Sequence, residues 1–172
     1  MFSKGLPYSK TIDFLILLLI VIIYQSVISS GVKIAGIGLD LPLVVLVYVG
    51  LTRGPVFGAV FGFASGLLLD VYSPNLLGLE ALLRTLLGFL VGNFRNKLFL
   101  DTLYSKSGMI FTALLCHDLL YYLLATGFQV GATVYSLLFE SLPSALYTTV
   151  VGMIIFGLIQ QKYIQLDQSS KL

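Results

Sequence analysis

The chain has 172 residues, of which 58% are hydrophobic and 10% charged, with ten Lys and Arg against eight Asp and Glu. A soluble domain carries roughly 25% charged residues, so this supply cannot coat the surface of a water-soluble globule. The composition excludes a soluble enzyme, a nucleic-acid binder with a basic face and a disordered tail. It points to an integral membrane protein. Cys116 stands alone inside an apolar run, which rules out an internal disulfide, and one Cys with one His leaves no zinc pattern.

A helical crossing takes about 20 mostly apolar residues. In chain order the expected spans are 12–29, 40–52, 55–69, 76–94, 109–128 and 142–160. The first has some layout of a signal peptide: Lys4 and Lys10, an apolar stretch from Phe14 to Ile23, then Ser29, Ser30 and Gly31. It stays largely apolar to Ile28, however, longer than the about 7–15 residues of a cleavable apolar region. It therefore reads as an uncleaved first span. Between Leu39 and Leu69 the apolar sequence is interrupted by Thr52-Arg53-Gly54-Pro55. Either one long broken helix or two short ones fits the hydropathy.

Proline and charge favour two. Pro42, Pro55 and Pro143 each stand where a helix would begin, a position at which the missing N–H costs nothing. With six spans and the N-terminus inside, the inner side holds Lys4, Lys10, Arg53, Arg95, Lys97, Lys106, Lys162 and Lys171. The outer side holds only Lys33 and, near its edge, Arg84. That bias is the one expected of cytoplasmic loops, and it predicts six spans with both termini cytoplasmic. Trp is absent, so Tyr8, Tyr72, Tyr104 and Tyr163, just outside the spans, are the expected interfacial anchors. The loops are short and neither tail suffices for a soluble domain, so the chain reads as a single membrane domain.

Glycine recurs at every fourth position: Gly50, Gly54, Gly58, Gly62 and Gly66. Residues four apart lie nearly in line on a helix, drifting about 40° per step. Gly54, Gly58, Gly62 and Gly66 thus form a groove along the third span. Close backbone packing of this kind drives helix association in lipid. The groove serves either packing within the chain or the docking of a partner's helix. Gly88 and Gly92 repeat the device on the fourth span.

Ionisable groups at membrane depth come next. His117 and Asp118 fall near the middle of the fifth span, where an unpaired charge is costly. Adjacent helical residues point about 100° apart, so the two are not expected to face one partner. Tyr121 and Tyr122 stand within hydrogen-bonding spacing of Asp118. The pair is either structural, or a proton relay or the floor of a polar pocket. Glu80 and Arg84 are spaced to pair on one helix, and with Asp70 they make an expected outer polar rim. That rim is either helix-end electrostatics or part of a partner site. Glu140 precedes Pro143 and is expected in the first turn of the last span. No nucleophile with a base, metal-ligand spacing or phosphate loop appears, so neither catalytic residues nor a cofactor is expected.

The segment from Gly58 to Asp70, Gly-Ala-Val-Phe-Gly-Phe-Ala-Ser-Gly-Leu-Leu-Leu-Asp, is followed by Leu77-Gly78-Leu79-Glu80-Ala81-Leu82. This resembles the rod shape-determining protein MreD family, with a Gly-rich helix ending in Gly-Leu-Leu-x-Asp and a Leu-Gly-x-x-Ala-Leu start to the next helix. The specific part of the resemblance covers about Gly58 to Gly92, while the layout of spans covers the whole chain. It implies a non-enzymatic scaffold of the bacterial inner membrane, working with an MreC-like protein and, indirectly, with MreB, RodA and its transpeptidase in lateral peptidoglycan synthesis. It also implies an all-α fold of six transmembrane helices similar to the S-components of energy-coupling-factor transporters. The alternative function is therefore a vitamin-binding S-component. Those proteins usually dock through Ala-x-x-x-Ala in the first span, and here no Ala precedes Ala35.

Overall fold

Helix α2 (Leu41–Arg53) is apolar on nearly every face, and a helix of that kind belongs inside a bundle. In the computed structural model, which describes residues 7–25, 38–71, 76–95 and 102–169, it is the central element. Around it stand α1 (Pro7–Ile23), α3 (Pro55–Asp70), α4 (Leu79–Phe94), α5 (Leu103–Ala125) and α7 (Leu142–Ser169). A short α6 (Val130–Ser136) and a π-helical turn (Leu137–Ser141) run into α7. Among the described residues the fold is all-helical. The expectations placed on Lys4, Ser29, Ser30, Gly31, Lys33, Tyr72, Lys97 and Lys171 lie outside these residues.

Leu43, Val44, Leu46, Val47 and Val49 of α2 are fully or almost fully buried, packed with Val21 of α1, Phe61 of α3, and Ile110 and Leu114 of α5. The surface of the bundle is the inverse of a soluble protein's. Leu15, Ile16 and Leu19 on α1, Val56, Val60 and Phe63 on α3, Leu82, Leu86 and Phe89 on α4, and Leu146, Val150 and Ile154 on α7 all face outward. Apolar patches of that extent mark a lipid or protein contact. Two helical runs, Leu103–Ala125 and Val130–Leu158, are long and apolar enough to cross a membrane.

The interrupted middle region is a helical hairpin. Asp40 caps α2 by accepting the Leu43 N–H at 2.9 Å, and Pro42 occupies the first turn, where no N–H is needed. Gly54 ends the helix with φ +94°, a backbone region that favours glycine. Pro55 then opens α3, which folds back so far that a Cβ on Gly58 would lie 3.1 Å from the Gly50 Cα. The 13-residue α2 spans about 20 Å at 1.5 Å per residue.

Pro143 departs from expectation. It lies inside a continuous helical run that begins at Val130, and Glu140 accordingly sits in the π turn and not at a helix start. A proline ring clashes with the carbonyl four residues earlier, here Phe139. The widened π turn directly before Pro143 relieves that clash without ending the helix.

Candidate functional site

Three features converge on α4: a glycine seam along its length, a cap at its N-terminus and an ion-pair cluster one turn in. The seam forms because α3 and α4 run antiparallel with small residues facing each other. A Cβ on Gly58 would strike the Gly88 carbonyl, one on Gly62 the Arg84 carbonyl, and one on Gly66 the Ala81 backbone. From the other side, Gly88 meets the Gly58 carbonyl and Gly92 meets Pro55. The groove that the spacing offered to a partner's helix is therefore filled by α4 of the same chain. Gly54 lies at its end, with the Arg95 guanidinium 3.6 Å from where its Cβ would be. Sequence gives the spacing of such a face but not the identity of the helix that fills it.

The α4 N-terminus begins at Gly78, which is left-handed at φ +90° and has no side chain with which to cap. Asp70, the last residue of α3, supplies the cap instead. Its two carboxylate oxygens accept the Glu80 N–H at 3.0 Å and the Ala81 N–H at 3.1 Å, in a position only 2% exposed. A carboxylate on free N–H groups at a helix start is well placed for the helix dipole.

Arg84 is the centre of the cluster and is almost completely buried. Its Nε donates to Glu80 Oε2 at 2.8 Å, one turn back on α4. Its Nη1 and Nη2 donate to the two oxygens of Asp40 at 3.2 and 2.8 Å, a two-pronged pairing that fits the planar guanidinium. Asp40 thus caps α2 and neutralises Arg84 with one carboxylate. Its own N–H donates to Thr148 Oγ1 on α7 at 3.2 Å. Sequence reasoning missed Asp40. Two signals could have found it: an Asp directly before Leu41-Pro42 reads as a helix cap, and an Arg at membrane depth requires a counter-charge.

His117 joins the fifth helix to this cluster. Its Nε2 lies 3.2 Å from Glu80 Oε2 and its Nδ1 lies 3.1 Å from Asp118 Oδ1. The two do not face one partner: the ring's opposite nitrogens let His117 reach Glu80 on one side and its own neighbour Asp118 on the other. Ionised carboxylates only accept, so the ring bonds both when it carries two N–H groups or when one carboxyl carries a proton. Tyr121 stacks on the His117 ring, with centroids 6.2 Å apart. Tyr122 donates to Glu140 Oε2 at 2.8 Å, so its hydroxyl is engaged across to the π turn and not with Asp118.

The outer rim and the intramembrane pair are consequently one array, running Asp40–Arg84–Glu80–His117–Asp118 across α2, α4 and α5. Asp70 stands beside it on backbone groups. The arrangement links the side chains to one another and ties three helices at one end of the bundle. At the opposite end stand Arg53, Gly54 and Arg95, with Lys106 in the first turns of α5. The described part of the bundle is thus acidic at one end and basic at the other. Among the described residues no group of three or more His, Cys, Asp or Glu is placed to hold a metal ion.

No curated protein matches the chain, and no solved structure does. The family described as rod shape-determining protein MreD matches residues 8–166, which takes in all of α2 to α6, nearly all of α1 and α7, and every residue of the seam and the cluster. The chain belongs to the rod shape-determining protein MreD family, a family of membrane proteins with a role in determining rod shape.

Proposed function

We propose that this protein is a non-enzymatic scaffold of the bacterial cell-elongation complex, binding an MreC-like membrane protein and supporting lateral peptidoglycan synthesis. The observation that carries this reading is the family match over residues 8–166. The site supports it: the buried polar groups hold helices to one another, and large apolar faces are left on the outside. A scaffold works by presenting such faces. Contact with MreB, RodA and its transpeptidase follows through the MreC-like partner.

The same reading places the chain in the cytoplasmic membrane as a multi-pass protein of six crossings, in an arrangement like that of the S-components, with both termini cytoplasmic. The basic end, with Arg53, Arg95 and Lys106, then faces the cytoplasm, in keeping with the preference for positive charge on that side. The cluster around Arg84 belongs to the outer half. The family match does not favour vitamin capture.

Affinity purification of the tagged protein from its native membrane in mild detergent tests the proposal. Recovery of MreC-like and RodA-like proteins is the expected result. Recovery instead of a coupling subunit with paired ATPases would overturn it.

A further inference from the structure

The corner formed by α5, α6 and the π turn has a surface unlike the rest of the bundle. Helix α5 continues from His117 to Ala125, about 12 Å beyond the level of Glu80 at 1.5 Å per residue. Helices α2 and α4, by contrast, begin at Leu41 and Leu79, beside the cluster. The corner therefore stands above its neighbours at the acidic end. Gly127 and Phe128 turn the chain there, both left-handed at φ +63° and +66°, and Phe128 is 65% exposed.

Beyond the turn, Tyr135 and Phe139 lie 4.7 Å apart between ring centroids, both more than half exposed, with Leu138 beside them. Large aromatic side chains of this kind are the usual anchors of protein contacts. Glu140 is exposed directly next to this ledge. Its one bonded neighbour among the described residues is the neutral Tyr122 hydroxyl. Asp118, one turn before Tyr122 on α5, is engaged with His117. The basic side chains near the cluster are engaged within it, Arg84 with Asp40 and Glu80 and His117 with Glu80 and Asp118, while Arg53, Arg95 and Lys106 belong to the opposite end. A carboxylate beside an apolar, membrane-level ledge is costly unless a cation reaches it. Among the described residues no cation is bonded to Glu140, and a positive charge on a docking partner complements it.

Building on the partner-binding reading above, we propose that the α5–α6 corner and its π turn dock a partner's membrane helix that carries a Lys or Arg near its outer end. The aromatic ledge of Tyr135 and Phe139 receives the apolar face of that helix, and Glu140 receives its cation. The glycine seam, filled from within the chain, takes no part.

The test places a photo-crosslinking amino acid at Tyr135 of the full chain in native membranes, with Phe63 on the outward face of α3 as comparison. Crosslinking from Tyr135, and not from Phe63, to a membrane helix bearing an outer Lys or Arg is the expected result. Glu140→Lys should lower that product about tenfold, equivalent to about 1.4 kcal/mol, and reversing the partner's cation to Glu should restore it. Glu140→Gln keeps an acceptor for Tyr122 and should melt like the parent protein, which separates lost docking from lost folding. Crosslinks to lipid alone or to a second copy, or a product indifferent to Glu140→Lys, would overturn the docking face. If an MreC-like protein still co-purifies in that case, the scaffold reading stands without it; if none does, both fall.

Discussion

Along their length, α3 and α4 touch backbone to backbone through Gly58, Gly62, Gly88 and Gly92, whereas at the acidic end Asp70 ties α3 to the start of α4 and Glu80 and Arg84 tie α4 to α5 and α2. The seam tolerates no side chain. The cluster requires particular ones. In a membrane the hydrophobic effect adds little between helices, so close approach and satisfied polar groups carry the association. The seam contributes dispersion over a long contact and sets how near the helices come. Asp70 sets their register, because it meets the free N–H groups of α4 only if α3 ends beside its start.

The sharpest way to break this comparison is to put bulk into the seam. Gly62→Leu drives a side chain into the Arg84 carbonyl and should prevent the folded protein from accumulating in membranes. Gly108→Leu, with nothing within 4 Å of its Cβ position, should accumulate normally on the same immunoblot. The cluster should yield the next largest effect. Arg84→Met leaves Asp40 without its cation and Glu80 with His117 alone, and removal of one partner from a buried pair costs about 3–5 kcal/mol. Thermal melting in detergent should show that loss, and a double-mutant cycle with Asp40→Asn should recover part of it. Asp70→Ala removes only a cap and should cost about 1–2 kcal/mol. Smallest of all, Val60→Ala on the outward face of α3 should change stability by no more than about 0.5 kcal/mol, since it alters neither seam nor cluster.

How much of this was legible in the sequence differs between the two regions. Seam spacing and the Glu80–Arg84 pair are local patterns, visible because helical geometry relates residues four apart. The hairpin was legible from Pro42, Gly54 and Pro55, whose backbone preferences act where they stand. Asp40 was not, because its pairing with Arg84 joins residues 44 apart and depends on how the hairpin folds back on α4. His117 and Asp118 were recognised as costly, but their link to Glu80 needed the packing of α5 on α4. Pro143 misled for a different reason. The rule that proline begins helices allows for no π turn, and the widened turn ahead of it lets the helix run on.

The central structural claim is that the glycine face is a joint inside this chain, so that any partner docks elsewhere. Thermal melting of the purified chain alone, parent against Gly58→Ala, tests it most directly. A Cβ there would meet the Gly88 carbonyl, and the account predicts a loss of at least about 2 kcal/mol with no partner present, in the range of core overpacking. Unchanged melting together with reduced recovery of an MreC-like protein would contradict it, because the groove would then be open in the free chain and filled only by the partner.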